Sequence, residues 1–308
     1  MDVEPLGERT TTQLVPIAAV LYEPNEILLD KLFLAMAIPG RQLYIFVNGQ
    51  LTQYVEKRLS QLASCTILRS SSNIGLGAAL NAIMERATSD GASYLLLLDQ
   101  DSTPAPDLPD ALLRALQSRA HSVLPLAVIG PLLVSPSGEN YKAIRYAWRN
   151  LKHSTAHFIP TSGSLISIAA WRDVGPFRAD YFIDGIDVEW GFRAWSRGYG
   201  SLVVRDIELE HRWGIPADET SSHTFQILRQ SDLRNYYYIR NSIDCLQLRH
   251  FPVTWKVRKM ISLMFQITIL LHVRNYNSRI RNIVRSAISS GLGGDLGPVV
   301  IPPPANGV

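Results

Sequence analysis

The chain has 308 residues, 46 % of them hydrophobic and 19 % charged, with 30 Lys+Arg against 27 Asp+Glu and a net charge of +3. That balance excludes a disordered chain, which needs low hydrophobicity and high net charge. Two cysteines exclude a disulfide scaffold, neither sits in a zinc-type pair, and both agree with a reducing compartment, the cytoplasm. In chain order, the first twelve residues are polar and lack the basic-then-apolar pattern of a secretory signal. Apolar runs at 15–22, 43–47, 65–68 and 94–98 read as strands, and the patterns at 26–37, 54–63 and 76–87 between them read as helices. Leu95-Leu96-Leu97-Leu98 has no polar alternation, as expected of a central parallel strand covered on both faces. Strands alternating with helices predict an α/β fold with a doubly wound, mostly parallel sheet, whose ligands bind beyond the carboxyl ends of the strands.

After about residue 220 the strand signals stop. Segments 225–248, 255–273 and 279–289 read as helices. The expected organisation is an α/β domain over 1–220, a helical basic region over 221–290, and a flexible Gly- and Pro-rich tail over 291–308. The apolar stretch 261–273 is shorter than the roughly 18 residues a membrane-spanning helix needs.

The run of leucines ends in Asp99-Gln100-Asp101-Ser102, so two carboxylates stand at the mouth of the sheet. In extended backbone, acids two apart point to the same side. Two hard oxygen donors suit Mg2+ or Mn2+ holding a diphosphate. The same acids also serve to cap a helix over 104–118 or to form an Asx-turn. Their place after the most buried strand favours the ligand role.

Leu96-Leu97-Leu98-Asp99-Gln100-Asp101-Ser102 resembles the Asp-x-Asp motif of inverting family 2 glycosyltransferases of the GT-A fold, and in particular bacterial rhamnosyltransferases that use dTDP-L-rhamnose. The resemblance runs from about residue 15 to 241. Asn73-Ile74-Gly75-Leu76-Gly77-Ala78-Ala79-Leu80-Asn81 is similar to a family donor-binding segment. Its glycines let backbone come close to a ligand at a helix start, or else form a plain turn. Tyr22, in Tyr22-Glu23-Pro24-Asn25, resembles a residue of the first nucleotide-contacting loop. Asn48 follows Val47, which stands where the family has a base-reading Asp, and valine cannot accept a hydrogen bond. The resemblance thus implies nucleotide-sugar contacts from Tyr22, Asn48, Asn73, Gly75, Asn81, Asp99 and Gln100, and metal binding by Asp101.

A second acidic stretch, Asp184-Gly185-Ile186-Asp187-Val188-Glu189, precedes a helix that runs to about Arg197. It resembles the family segment that holds the catalytic base, with Asp187 at the position of the base and Ile186 where Glu is common. An inverting transferase needs one carboxylate within hydrogen-bond reach of the acceptor hydroxyl. Asp187 is the expected base, and Asp184 and Glu189 are the reserves. Acids in a first helical turn also serve as caps. His211, in His211-Arg212-Trp213-Gly214, resembles a further metal ligand; a hydrogen-bonded structural histidine is the plainer reading. Arg234-Asn235-Tyr236-Tyr237-Tyr238-Ile239-Arg240-Asn241 is similar to a Tyr-Tyr-x-x-Arg-Asn motif in which Arg240 would clamp a diphosphate.

Residues 228–285 hold eleven Lys+Arg and two acids, a net +9. Trp255-Lys256-Val257-Arg258-Lys259 leads into the apolar stretch, so 255–273 reads as a peripheral membrane contact, or as an interface in a homo-oligomer. No nucleic-acid motif accompanies the charge. Together these readings imply a metal-dependent inverting glycosyltransferase. It would move L-rhamnose from dTDP-L-rhamnose to a saccharide or lipid-diphosphate-linked saccharide of bacterial surface polysaccharide. Transfer of another nucleotide sugar, and a non-catalytic carbohydrate-binding scaffold on a degenerate fold, stand as alternatives, as does a sugar nucleotidyltransferase, which would need a Gly-rich basic phosphate loop after the first strand.

Overall fold

The computed structural model of the chain describes residues 14–118, 124–134, 146–149, 153–210 and 230–301. The first strands fall where the apolar runs place them: β1 (Ile17–Leu21), β2 (Leu43–Asn48), β3 (Cys65–Ser70) and β4 (Tyr94–Leu98). All four are parallel, in the order β3-β2-β1-β4. Helices α1 (Glu26–Met36), α2 (Gln53–Leu59) and α3 (Leu76–Ser89) connect them. The first two helices start on side-chain caps. Asn25 accepts from the amides of Ile27 and Leu28 at 3.1 and 3.2 Å, and Thr52 accepts from Val55. Leu95 to Leu98 are buried, as a strand between two helical layers must be.

Beyond α4 (Leu108–Gln117) come β5 (Leu126–Val134), β6 (Tyr146–Arg149), β7 (His153–Ala156) and β8 (Ser164–Ser167). They are followed by α5 (Ile168–Val174), a one-turn 3-10 helix (Ala179–Tyr181), α6 (Ile186–Ser196) and β9 (Gly200–Glu210). The nine-stranded sheet continues from β4 as β8-β5-β9-β7-β6. β8 runs antiparallel to both β4 and β5, whereas β9 is parallel to β5. The sheet is therefore mixed, with the predicted doubly wound parallel half intact.

Three helices form the C-terminal region: α7 (Asp232–Gln247), α8 (Val253–Val273) and α9 (Ser278–Gly293). They enclose a second core around Tyr236, Tyr237, Ile239, Leu263, Leu270 and Ile283. The tail differs from the expectation of a flexible 291–308. Gly291 to Gly293 finish α9, and the residues after them are docked. Gly297 donates to the Asp180 carbonyl at 2.7 Å, Val299 N–H donates to Tyr237 Oη at 2.8 Å, and Val299 and Ile301 pack on the second core. Residues 302–308 lie outside the described residues.

Candidate active site

The carboxyl ends of β1, β2 and β4 open on one side of the sheet, and the residues after them form the floor of the site. Asp99 to Ser102 is a turn, closed by Ser102 N–H donating to the Asp99 carbonyl at 3.0 Å. The expected extended geometry of Asp99 and Asp101 is thus replaced by a turn. Ser102 is buried, and its hydroxyl lies 2.6 Å from that of Ser162, which ties the turn to the loop before β8. Gln100 does not point its amide at a ligand. It takes the Tyr22 N–H at 2.8 Å and donates to the Tyr22 carbonyl at 3.0 Å. That pairing fixes the backbone after β1 and leaves the Tyr22 ring 44 % exposed. Gly49, beside that ring, has φ +134°, a backbone conformation that favours glycine. Val47 is buried and offers the mouth nothing.

The start of α3 is an internal network. Asn48 Nδ2 donates to Asn73 Oδ1 at 2.9 Å, and Asn48 Oδ1 accepts from Ile74 N–H at 2.8 Å. Asn73 Oδ1 also accepts from Gly75 N–H. Gly75 has φ +86°, and a Cβ there would lie 2.7–2.9 Å from Phe182. A Cβ on Gly77 would lie 2.5 Å from the Arg178 carbonyl. These glycines make room for the chain at 178–182. The Leu76 amide is also taken, by the Phe182 carbonyl at 2.6 Å. Asn81 brackets Phe177, donating to its carbonyl at 2.9 Å and accepting its N–H at 2.8 Å.

Opposite this wall the chain makes a strained bend. Phe182 and Asp184 have φ of 65° and 62°, and Gly185 has φ 83°. Left-handed backbone at two non-glycine residues persists only where its surroundings hold it. Asn241 supplies the hold, donating to the carbonyls of Tyr181, Ile183 and Asp184 at 2.8–3.0 Å. Arg240 helps, and here the sequence-based expectation is corrected. It is 1 % exposed and donates to the carbonyls of Gly297, Asp180 and Tyr181, and to Asn241 Oδ1. A guanidinium committed in this way ties the bend to the tail and does not reach a diphosphate.

The bend delivers Asp187 to the N-terminal turn of α6. Val188 N–H donates to its Oδ1 at 2.8 Å, which favours the charged form. Burial works against the charge, and the carboxylates of Asp99 and Asp184 add to it, so the Asp187 pKa is pushed up to about 6. Asp187 also lines a small pocket with Leu97, Thr161, Ser164, Phe177 and Trp190. Asp184 is paired with Arg234 at 3.2 Å. Glu189, the second reserve, is removed from the site. It is buried, bound by Arg193 at 2.9 and 3.0 Å, and has His250 Nε2 at 3.2 Å. Burial raises its pKa, but His250 and Arg193 outweigh that and hold it low.

The residue that sequence reasoning passed over is Arg234, in the first turn of α7. It is 45 % exposed. The Asp184 charge raises its pKa, burial opposes this, and Asp99 and Asp101 raise it further. One cation therefore faces three carboxylates drawn from two distant segments. Its only sequence signal was its place six residues before Arg240 in the aromatic motif.

The donor set fits a divalent cation in its chemistry. Asp99 and Asp101 are two hard carboxylates, and Mg2+ takes one or two of these together with phosphate oxygens. Among the described residues no cluster of three metal-type side chains forms, and His211 lies outside them.

Residues 40–165 match the family model described as glycosyl transferase family 2. That segment, which runs from β2 into β8, is similar to a family 2 glycosyltransferase domain. Over 267 residues the chain is 22 % identical to dTDP-rhamnosyl transferase RfbF of Shigella flexneri, covering 83 % of this chain and 88 % of that one. Among solved structures, S. aureus TarS 1-349 in complex with UDP-GlcNAc aligns with a TM-score of 0.55 at 12 % identity, over 90 % of this chain and 81 % of TarS. GalNAc-T7 with UDP, GalNAc and Mn2+ aligns with a TM-score of 0.50 at 11 % identity, over 82 % of this chain and 55 % of the other. The fold is therefore the GT-A fold that the motifs implied. The matched segment holds Asp99 and Asp101, while Asp187 and Arg234 lie beyond it.

Proposed function

We propose that the enzyme transfers L-rhamnose from dTDP-L-rhamnose, with inversion, to a saccharide or lipid-diphosphate-linked saccharide of bacterial surface polysaccharide. In this reading it works in the cytoplasm, against the inner face of the cytoplasmic membrane. The observation that carries the chemistry is Asp187, a partly buried carboxylate with its pKa raised to about 6, facing Asp99 and Asp184. A general base is most effective when its pKa lies near the working pH. The Asp187 carboxylate takes the proton of the acceptor hydroxyl. The acceptor oxygen bonds to the anomeric carbon on the face opposite the diphosphate, and the bond from that carbon to the departing oxygen breaks. Arg234 sits where it can take the diphosphate's charge, in exchange for its pairing with Asp184. The exposed Tyr22 ring offers a stacking surface for the base. Asp99 and Asp101 would hold Mg2+ or Mn2+, which when bound neutralises charge on the diphosphate. Support for rhamnose comes from the resemblance of Asp99-Gln100-Asp101-Ser102 and from the 22 % identity to RfbF.

A thermal-shift panel tests this. The donors are dTDP-L-rhamnose, dTDP, and UDP sugars including UDP-GlcNAc, each with Mn2+ or with EDTA. A ligand that binds only the folded state raises its stability in proportion to the logarithm of its concentration over Kd. The largest rise should come from dTDP-L-rhamnose with Mn2+. A larger rise with a UDP sugar overturns the donor, an equal rise in EDTA overturns the metal, and no rise with any sugar nucleotide favours a non-catalytic scaffold.

A further inference from the structure

Helix α8 is apolar on both sides. Leu263 and Leu270 face the second core. On the opposite side stand Val257, Ile261, Met264 and Phe265, 47–63 % exposed. At about 100° per residue these four fall within an arc of about 100°. A helix that is hydrophobic all round is ordinarily covered all round. No helix of the described residues is long and apolar enough to cross a membrane, so a helix of this kind lies along a surface and does not span one.

Charge decides between the surfaces that could cover it. From 230 to 294 the only acids in the sequence are Asp232 and Asp244. Asp232 is paired with Arg279, and Asp244 is buried against the Tyr181 hydroxyl at 2.6 Å. The cations Arg249, Arg258, Arg281 and Arg285 are exposed, and Arg258 flanks the apolar arc on α8 itself. Two copies meeting through this face would bring two +9 segments together. An anionic lipid surface complements the same charge.

We propose that the outer face of α8 rests in the interface of an anionic lipid bilayer, its four apolar side chains at the acyl boundary and the nearby arginines against the headgroups. The Arg279–Asp232 pair sets the turn between α8 and α9 beside the start of α7, the end that carries Arg234 and the acidic site. The apolar face thus runs toward the side of the molecule where a lipid-linked acceptor would be used. This last point rests on the acceptor reading above; the lipid contact does not.

The test is co-flotation of the full chain with vesicles of phosphatidylcholine alone, or with phosphatidylglycerol added. The wild type should float with the anionic vesicles and be released by about 1 M salt. Ile261→Ser with Phe265→Ser should lower flotation about tenfold with an unchanged melting temperature, since both side chains are exposed. Arg281→Gln with Arg285→Gln should lower it on anionic vesicles only. Equal flotation of wild type and the Ile261/Phe265 variant overturns the proposal. So does a wild type that never floats but is dimeric by light scattering while that variant is monomeric, which would make the face an interface between copies. Transfer to a soluble acceptor by the variant reads the catalytic proposal separately.

Discussion

A carboxylate in the first turn of a helix ordinarily titrates low, because the unpaired amides there favour its charge. Asp187 accepts from Val188 and still has its pKa pushed up to about 6, because burial and the facing carboxylates of Asp99 and Asp184 outweigh that bond. Two outcomes follow at this scale. The rate of transfer at low substrate should fall off on the acid side below about pH 6, as Asp187 takes up a proton; a profile flat to pH 5 would contradict this. The second concerns stability. A carboxyl whose folded pKa lies above its unfolded value favours folding below the unfolded pKa, and that contribution is lost as pH rises through the folded one. Ionised Asp187 therefore destabilises the fold at pH 8 by up to about 3 kcal/mol. Asp187→Asn should raise the melting temperature at pH 8 by several degrees and leave it little changed near pH 4, as thermal denaturation at the two pH values would show. Asp99 and Asp101 were legible from local sequence, because they end the most buried strand of a doubly wound sheet, whereas Asp184 and Asp187 stood out only through the family resemblance. The use of the amides was not legible. Gln100 finds its partner 78 residues away and Asn81 finds its partner 96 residues away, and no local pattern records such pairings.

At the scale of elements, the site is a junction between the α/β sheet and α7. Asn241 and Arg240 reach from α7 to hold the bend at 181–184, and Gly75 and Gly77 let α3 press against its other side. Read from sequence, these glycines suggest close approach of a ligand; in the structure the chain at 178–182 packs against them. A glycine is detectable in sequence, but the residue that fills its missing Cβ is not. Asn241→Ala would take its donor from the carbonyls of Ile183 and Asp184, while Tyr181 keeps Arg240, costing about 1–3 kcal/mol. Because the bend aims Asp187, kcat should fall about tenfold or more while donor Kd moves much less. Unchanged kcat in a folded Asn241→Ala protein would show that the bend does not position the base.

At the scale of the molecule, the near-neutral total charge conceals two unlike parts. Residues 1–227 total −5, 228–285 total +9, and the tail beyond them carries one acid. Strands, helices and this charge division could be read from periodicity and composition. The docking of the tail could not, since 294–301 has no repeating pattern and is held by long-range bonds to Asp180, Tyr237 and Arg240. Deleting 294–308 should strip buried Arg240 of an acceptor and lower stability by about 2–4 kcal/mol. An unchanged melting curve would contradict the role assigned to the tail. In the proposed reaction, a GT-A sheet closed by a helical extension presents Asp187 as the base of sugar transfer. The most direct test compares wild type and Asp187→Asn for donor binding by calorimetry and for transfer to acceptor. Donor Kd should stay within about threefold of wild type, and transfer should fall by about 10²–10⁴-fold. Transfer at the wild-type rate by Asp187→Asn would contradict that role.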